Sequence, residues 1–146
     1  LQTFSKAYGL AGLRIGMAFG QKEVIDILNK IKYPYNVNVL SQEVAIERLH
    51  HTNQKNEEVK SILTERAKLI DFFQNLPYVK KVFPTQANFI LVKFEDGDAI
   101  YRFLIEQSII TRNRSKVKLC ESAVRITVGT QEENLQLMQK LQNFKK

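Results

Sequence analysis

The chain has 146 residues, 44% of them hydrophobic and 25% charged, a composition that allows one buried core with at most an appended segment. No apolar run approaches the roughly 18 residues that cross a bilayer, and the start lacks the layout of a secretory signal, so we expect no membrane partner. The net charge of +7 is spread along the chain without interleaved aromatic residues, so we expect no nucleic-acid partner; a basic nucleic-acid-binding or interaction module is the non-enzyme alternative.

The first twenty residues hold four of the six glycines in the chain. That density predicts a turn-rich segment in which the backbone approaches another group closely. Apolar residues alternate with small and charged ones from Leu13 to Phe19, which predicts a short strand. A helix is predicted from Gln21 to Ile31, and Pro34 stops it.

The middle of the chain is predicted to be helical. Ser41 is a plausible cap for a helix that runs to about Leu49. Asn53 and Asn56 are expected to interrupt the helical pattern. Apolar residues then recur every three or four positions over 57–76, the longest helical signal in the sequence.

Strands and helices alternate in the rest of the chain. The patterns predict strands over 79–83, 88–94, 109–112 and 124–128, and helices over 98–107 and 131–144. In the last helix, Leu135, Met138 and Leu141 are expected to point inward. This order predicts the α/β class, in the form of an α+β domain whose helices pack on a small mixed sheet.

Cysteine and histidine are scarce. The single cysteine, Cys120, excludes an intramolecular disulfide bond and suits a reducing cytoplasm. With only His50 and His51 beside it, a structural zinc site has too few ligands, so no metal is expected. The two histidines are adjacent and would point about 100° apart on a helix, so they cannot chelate one ion together.

A lysine near the start stands among residues suited to a phosphorylated aldehyde. Lys6 could form an imine when its amine is neutral, a state that a nearby cation such as Arg14 favours. Thr3 and Ser5 offer hydroxyl donors to a phosphate ester, and the guanidinium of Arg14 suits two phosphate oxygens at once. Lys6 by itself would be an ordinary solvated lysine; the order and spacing over residues 3–16 make the segment specific.

Residues 3–16 read TFSKAYGLAGLRIG, which resembles the cofactor-lysine segment of fold-type I aminotransferases. The pattern of that segment is Ser-Lys, a short gap, then Gly-Leu-Ala-Gly-Leu-Arg-x-Gly. The resemblance implies that Lys6 carries pyridoxal 5′-phosphate as a covalent imine, with Thr3, Ser5 and Arg14 contacting the cofactor. It also implies that residues 1–35 end a large cofactor-binding domain and that residues 36–146 form the small C-terminal domain.

Three later segments resemble histidinol-phosphate aminotransferases. They are TQANFI over 85–90, IITR over 109–112 and VRITVGT over 124–130. The resemblance implies that Arg125 grips the substrate α-carboxylate, the alternative being a structural ion pair. Arg112 is a candidate contact for the substrate phosphate, although Arg112 and Arg114 could equally be solvated strand-end residues.

Two further side chains are substrate-binding candidates by the same resemblance, Asn88 and Tyr35. For Tyr35, a place in a core or an interface is an equal alternative. The sequence departs from the family at Gln107-Ser108, where a glycine is common before the Ile-Ile strand. That difference should affect only the turn.

The implied reaction is transamination between histidinol phosphate and 2-oxoglutarate in a cytoplasmic homodimer. Other class I and II aminotransferases and threonine-phosphate decarboxylases share the lysine segment and are the alternatives. The resemblance further implies that the N-terminal large domain is missing from this chain. We therefore expect the 146-residue chain to be inactive by itself.

Overall fold

The computed structural model describes residues 1–144, which form two compact units divided between Val59 and Lys60. Lys145 and Lys146, the end of the predicted small domain, lie outside the described residues. The boundary predicted near residue 35 stays a prediction. Within residues 1–144, no helix has the length and apolar character that a membrane span requires.

The first unit begins with two very short paired strands, β1 (Gln2–Thr3) and β2 (Gly16–Met17). The strand predicted from Leu13 to Phe19 is wrong in extent, since β2 has only two residues. Ala11–Leu13 form a single 3-10 turn, and Arg14 then takes a left-handed conformation with φ of 57°. A left-handed residue cannot continue an extended strand.

Two helices follow in this unit, α1 (Lys22–Ile31) and α2 (Val39–His50). The first agrees with the prediction to one residue, and none of its residues is buried. The second begins earlier than expected because Ser41 is not its cap. Asn38 is the cap, and its side-chain carbonyl accepts a hydrogen bond from the backbone N–H of Ser41 at 2.8 Å.

The longest helix, α3 (Thr52–Gln74), starts before the predicted position. Asn53 and Asn56 lie inside it, so the expected interruption there is wrong. The break falls instead at His51, which has φ of −99° and ψ of 39° at the end of α2. Asparagine is a weak helix former, but its cost of less than 1 kcal/mol does not stop a helix that packs along one face.

The second unit is built on a four-stranded sheet of β3 (Val79–Val82), β4 (Phe89–Phe94), β5 (Arg112–Asn113) and β6 (Ala123–Thr127). The strand order is β3-β4-β6-β5, and each neighbouring pair is antiparallel. The α/β class is confirmed, whereas the expected mixed sheet is wrong. Helices α4 (Gly97–Glu106) and α5 (Gln131–Gln142) complete the unit with the end of α3.

The core of this unit lies between one face of the sheet and the three helices. Side chains alternate along β4 and β6, so every second residue faces the helices. The fully buried members are Leu69, Phe73, Ile90, Val92, Phe94, Leu104, Val124 and Leu141. In α5 the inward residues are Asn134, Leu137 and Leu141, so the prediction that Leu135 points inward is wrong; it is 45% exposed.

The strand predicted to begin at Ile109 starts three residues later because the preceding residues still terminate α4. Ser108 has a φ of +61°, and the N–H of Ile109 donates to the carbonyl of Leu104 at 2.8 Å. This is the left-handed ending in which helices most often use glycine. The departure from the family at Gln107-Ser108 therefore places a side chain where the backbone disfavours one.

Replacing Ser108 with glycine is expected to stabilise the chain by about 1 kcal/mol, because glycine adopts the left-handed region without the steric cost of a Cβ. Urea denaturation measures the change in the free energy of unfolding. The matched control is Ser61→Gly, in the exposed interior of α3, which should destabilise by about 0.5 kcal/mol. A loss of stability in Ser108→Gly would show that the left-handed conformation of Ser108 is not strained.

Tyr78 provides a second check on the fold, at alkaline pH. Its hydroxyl donates to the backbone carbonyl of Leu141 at 2.5 Å, and burial raises the pKa of Tyr78 to about 12 from an ordinary value of 10.0. The folded state thus holds this proton more tightly than the unfolded state does. Its stabilising effect is complete below pH 10 and is lost as the pH rises through 12.

We therefore expect the free energy of unfolding to fall between pH 10 and pH 12, and to fall less steeply in Tyr78→Phe. Urea midpoints measured at intervals across that range give the comparison. Tyr35→Phe, which changes a tyrosine that is 96% exposed, is the control. Identical slopes in wild type and Tyr78→Phe would remove Tyr78 as the cause.

Candidate functional site

The lysine loop, residues 4–15, is closed at its base by β1 and β2. Thr3 lies opposite Gly16 in the antiparallel pair, and the N–H of Phe4 donates to the carbonyl of Ile15 at 3.3 Å. Ser5 and Arg14 are the next residues on the two sides of the loop. The pairing thus returns Arg14 to the end of the loop at which Ser5 stands.

At the base of the lysine loop, the hydroxyl residues Thr3 of β1 and Ser5 of the loop contact each other. The hydroxyl of Thr3 donates to the hydroxyl oxygen of Ser5 at 2.9 Å, and the backbone N–H of Ser5 donates back to the Thr3 oxygen at 3.1 Å. Lys6 follows at once and is exposed. Gly9 turns the chain with a φ of +73°, and its N–H donates to the carbonyl of Lys6 at 2.9 Å.

Tyr8 fastens the lysine loop to the helices of the first unit. Its backbone carbonyl accepts a hydrogen bond from the Nε of Arg48 at 3.0 Å. Its ring lies 5.0 Å from the ring of Phe4, which is buried, and the ammonium of Lys55 is 5.3 Å from the ring centre. Arg48 also forms an ion pair with Glu58. These contacts fix the loop around Lys6.

The lysine loop fits a phosphorylated ligand. Arg14 is exposed, and its guanidinium makes one hydrogen bond to the loop, to the carbonyl of Ala11 at 3.0 Å. A guanidinium has five N–H groups, so four stay available for phosphate oxygens. The hydroxyls of Thr3 and Ser5, the cation of Arg14 and the amine of Lys6 are the donor set that a phosphate ester with an aldehyde requires.

The arginine pair, Arg112 and Arg125, lies on the sheet of the second unit. The two residues are directly opposite in the antiparallel register of β5 and β6. Like charges in this position repel each other. Among residues 1–144, neither arginine forms an ion pair with a carboxylate, so the structural ion pair considered for Arg125 is absent.

Arg125 is half-buried on the sheet face away from the core. Its guanidinium carbon lies 5.0 Å from the centre of the Phe89 ring, and its Nε is buried without a hydrogen-bond partner in the described residues. A buried donor without an acceptor costs about 1 to 3 kcal/mol. The arrangement is therefore unfavourable for the fold by itself and suits an anion that accepts from both arginines.

The other predicted substrate residues are placed as follows. Asn88 immediately precedes β4 and is half-buried, and its backbone carbonyl accepts from the N–H of Val128 at 2.9 Å. Arg114 is half-buried one residue beyond β5. Tyr35 is 96% exposed, so it has no place in a core of the described chain.

Sequence reasoning missed two residues of the second unit, one beside Arg125 and one at the end of the strand that carries it. Phe89 supports Arg125 from the neighbouring strand, a contact that depends on strand register and carries no local signal. Asn134 is buried beneath the end of β6, although polar residues on a helix are usually solvated. The only available signal was the capping box of Thr130 and Glu133, which fixes where α5 starts and thus which residues face inward.

Comparison with known proteins gives a consistent picture. The chain matches the family Aminotransferase class I and II over residues 1–141. It is 49% identical to histidinol-phosphate aminotransferase of Cytophaga hutchinsonii over 144 residues, which are 99% of this chain and 41% of that protein. The corresponding enzyme of Bacteroides fragilis is 48% identical, with 99% of this chain and 42% of that protein covered.

Solved structures of similar fold lead to the same family. Histidinol-phosphate aminotransferase of Clostridium acetobutylicum superimposes with a TM-score of 0.83 at 27% identity, over 94% of this chain and 42% of that one. L-threonine-O-3-phosphate decarboxylase of Porphyromonas gingivalis gives the same TM-score and identity, over 97% of this chain and 45% of that one. The chain thus spans about two fifths of the length of its curated relatives, and it belongs to the family of class I and II aminotransferases.

Proposed function

We propose that the complete protein is a pyridoxal-phosphate-dependent aminotransferase that acts on histidinol phosphate and 2-oxoglutarate. The observation that carries this proposal is the 49% identity, over nearly the whole chain, to a protein named histidinol-phosphate aminotransferase. The lysine loop and the arginine pair support it, since they offer the donors that the cofactor and an anionic substrate need.

In the lysine loop, Lys6 would hold the cofactor covalently through its Nζ. The hydroxyls of Thr3 and Ser5 and the guanidinium of Arg14 would hold the phosphate, at the end of the loop closed by β1 and β2. Pyridoxal phosphate, when bound, supplies an electron sink for the negative charge that develops at the substrate α-carbon. Lys6 Nζ would take the proton from that carbon and return it on the cofactor side, as base and then acid.

In the arginine pair, Arg125 would hold the α-carboxylate of the second substrate, 2-oxoglutarate or the glutamate formed from it, through its two-pronged guanidinium. Its Nε is buried and has no hydrogen-bond partner among residues 1–144, so the chain pays for this arginine without satisfying it. Arg112 would hold the phosphate of histidinol phosphate, which has no carboxylate, because an anion between the pair relieves the repulsion of the two cations. Asn88 and Tyr35 are proposed as further substrate contacts.

The remaining features of the proposal concern the whole protein. We propose a homodimer in the cytoplasm, with a large domain that precedes Lys6 in the full sequence and completes the cofactor site. Residues 1–35 belong to that domain and residues 36–146 to the small one in this proposal. The 146-residue chain alone is expected to lack activity. In this proposal the lysine loop supplies only part of the cofactor site, and the large domain supplies the rest.

A second candidate is decarboxylation of threonine phosphate. It is favoured by the structural likeness to the Porphyromonas gingivalis decarboxylase, at the same TM-score as the aminotransferase. Both reactions use an amino compound with a phosphate group, so the arginine pair suits either.

Incubation of the complete protein with each substrate distinguishes the candidates. Formation of glutamate from histidinol phosphate and 2-oxoglutarate supports the proposal, whereas release of carbon dioxide from threonine phosphate supports the second candidate. Neither reaction, together with salt-sensitive binding of single-stranded nucleic acid, would favour a basic binding module instead.

A further inference from the structure

A buried polar network lies where the strand that carries Arg125 ends. Asn134 is 2% exposed, and its side-chain amide makes two hydrogen bonds to one residue, Gly129. Its carbonyl accepts from the N–H of Gly129 at 3.0 Å, and its amide N–H donates to the carbonyl of Gly129 at 3.0 Å. One side chain thus fixes both backbone polar groups of the residue two positions after β6.

Glu65 of α3 completes the network and orients the amide of Asn134. The carboxylate is 6% exposed and accepts from the Asn134 amide at 3.0 Å and from the Lys68 ammonium at 2.6 Å. The hydrogen bond from Lys68, followed by that from Asn134, lowers the pKa of Glu65. A charged acceptor fixes which end of the amide faces α3, because only the NH₂ group can donate to it.

The first turn of α5 also lies close to position 129. A Cβ there would lie 2.6 Å from a carboxylate oxygen of Glu133 and 3.1 Å from the Cβ of that residue. On the other side, the N–H of Val128 donates to the carbonyl of Asn88 at 2.9 Å. The two residues that follow β6, Val128 and Gly129, are therefore held by the residue before β4 and by α5, respectively.

This location matters because β6 has only five residues, and Arg125 is the third of them. On the opposite edge, β5 pairs with β6 through two residues, so it constrains the strand weakly. Movement of Gly129 would shift the C-terminal half of β6 and with it the guanidinium over Phe89. Apolar side chains in place of Asn134 and Glu65 could bury the same area, but they would not fix the position of the Gly129 backbone, because they form no hydrogen bonds to it.

We infer that Asn134, oriented by Glu65, is a positioning residue that sets the place of Arg125 by holding Gly129. The functional part of this inference rests on the proposed role of Arg125 in binding the substrate carboxylate. The structural part does not, because it concerns contacts within the second unit alone. The two parts are tested by separate measurements.

The first measurement uses the 146-residue chain and nuclear magnetic resonance. In Asn134→Ala, we expect the amide hydrogen of Gly129 to exchange at least about tenfold faster, and the Nε resonance of Arg125 to shift. Leu137→Ala is the matched control, since it removes a core side chain one turn along α5 and leaves the network intact. It should lower stability without moving the Arg125 resonance.

The second measurement uses the complete enzyme. Asn134→Ala should raise the KM for 2-oxoglutarate, the substrate whose carboxylate Arg125 is proposed to hold, about tenfold, the equivalent of one charge-assisted hydrogen bond. The absorbance of the cofactor bound at Lys6 should not change. Glu65→Gln keeps an acceptor for the Asn134 amide and should stay within about twofold of wild type, whereas Glu65→Ala should resemble Asn134→Ala.

The outcomes separate the two proposals. An unmoved Arg125 resonance in Asn134→Ala, or an equal shift in Leu137→Ala, overturns the positioning role whatever the enzyme does. A shifted resonance with an unchanged KM also overturns it, because Arg125 would then have moved without consequence for the substrate. If wild type itself does not transaminate, the proposed function fails, and the resonance and exchange data still decide whether Asn134 positions Arg125.

Discussion

In the complete protein, replacing Lys6 with alanine is expected to slow transamination by about 10⁴-fold or more. The expectation follows from two tasks given to one amine, covalent attachment of the cofactor and transfer of the proton at the substrate α-carbon. The lysine loop offers no substitute within reach, because the neighbouring groups are the hydroxyls of Thr3 and Ser5 and the guanidinium of Arg14. Single-turnover kinetics measures the loss.

Lys6→Arg is the control for charge. It keeps a cation at the position but cannot form the covalent bond, so it should be as inactive as Lys6→Ala. The absorbance of covalently bound cofactor should vanish in both variants, while noncovalent binding through Arg14 persists. Turnover within tenfold of wild type in either variant would remove Lys6 from the chemistry.

Replacing Arg125 with lysine is expected to lower kcat/KM for 2-oxoglutarate, whose α-carboxylate Arg125 is proposed to hold, roughly 10- to 150-fold, which corresponds to one lost hydrogen bond to a charged group. Lysine keeps the positive charge, but its single ammonium cannot make the two parallel hydrogen bonds of a guanidinium. Steady-state kinetics gives the ratio. Arg102→Lys, an exposed residue on α4, is the control and should change kcat/KM less than twofold.

The stability of an Arg125 variant tests independently whether this residue serves the substrate or the fold. Arg125 lies opposite Arg112 on the neighbouring strand, and its buried Nε has no hydrogen-bond partner in the part of the chain that the structure describes, so both features cost folding free energy. We expect Arg125→Leu to leave the free energy of unfolding unchanged or to raise it, while transamination is lost. A strong destabilisation would show that Arg125 serves the fold rather than the substrate.

Local patterns in the sequence predicted most elements to within a few residues. The periodicity of α1 and α4 and the alternation in β4 and β6 depend on residues that are close in sequence, so they can be read without the fold. The errors have a different origin. The competition between Ser41 and Asn38 for the helix cap, and the late start of β5, depend on backbone conformations that neighbouring residues only partly determine.

Strand direction and register could not be predicted from local patterns in the sequence. The expected mixed sheet proved antiparallel because the pairing of β6 between β4 and β5 is set by the whole unit. The same limit applies to the candidate site. Lys6 and Arg125 stand in motifs and could be singled out, whereas Phe89 and Asn134 act through contacts between distant segments. Such contacts become visible only when the register is known.

The apolar stripe of α1 has a practical consequence for solution work on this chain. Val24, Ile27 and Ile31 are each at least half exposed, on a helix with no buried residue. Water in contact with such a stripe favours association between molecules. A melting curve recorded at one concentration would then mix the unfolding of each molecule with the dissociation of its clusters, so the midpoints for the variants above should be extrapolated to infinite dilution.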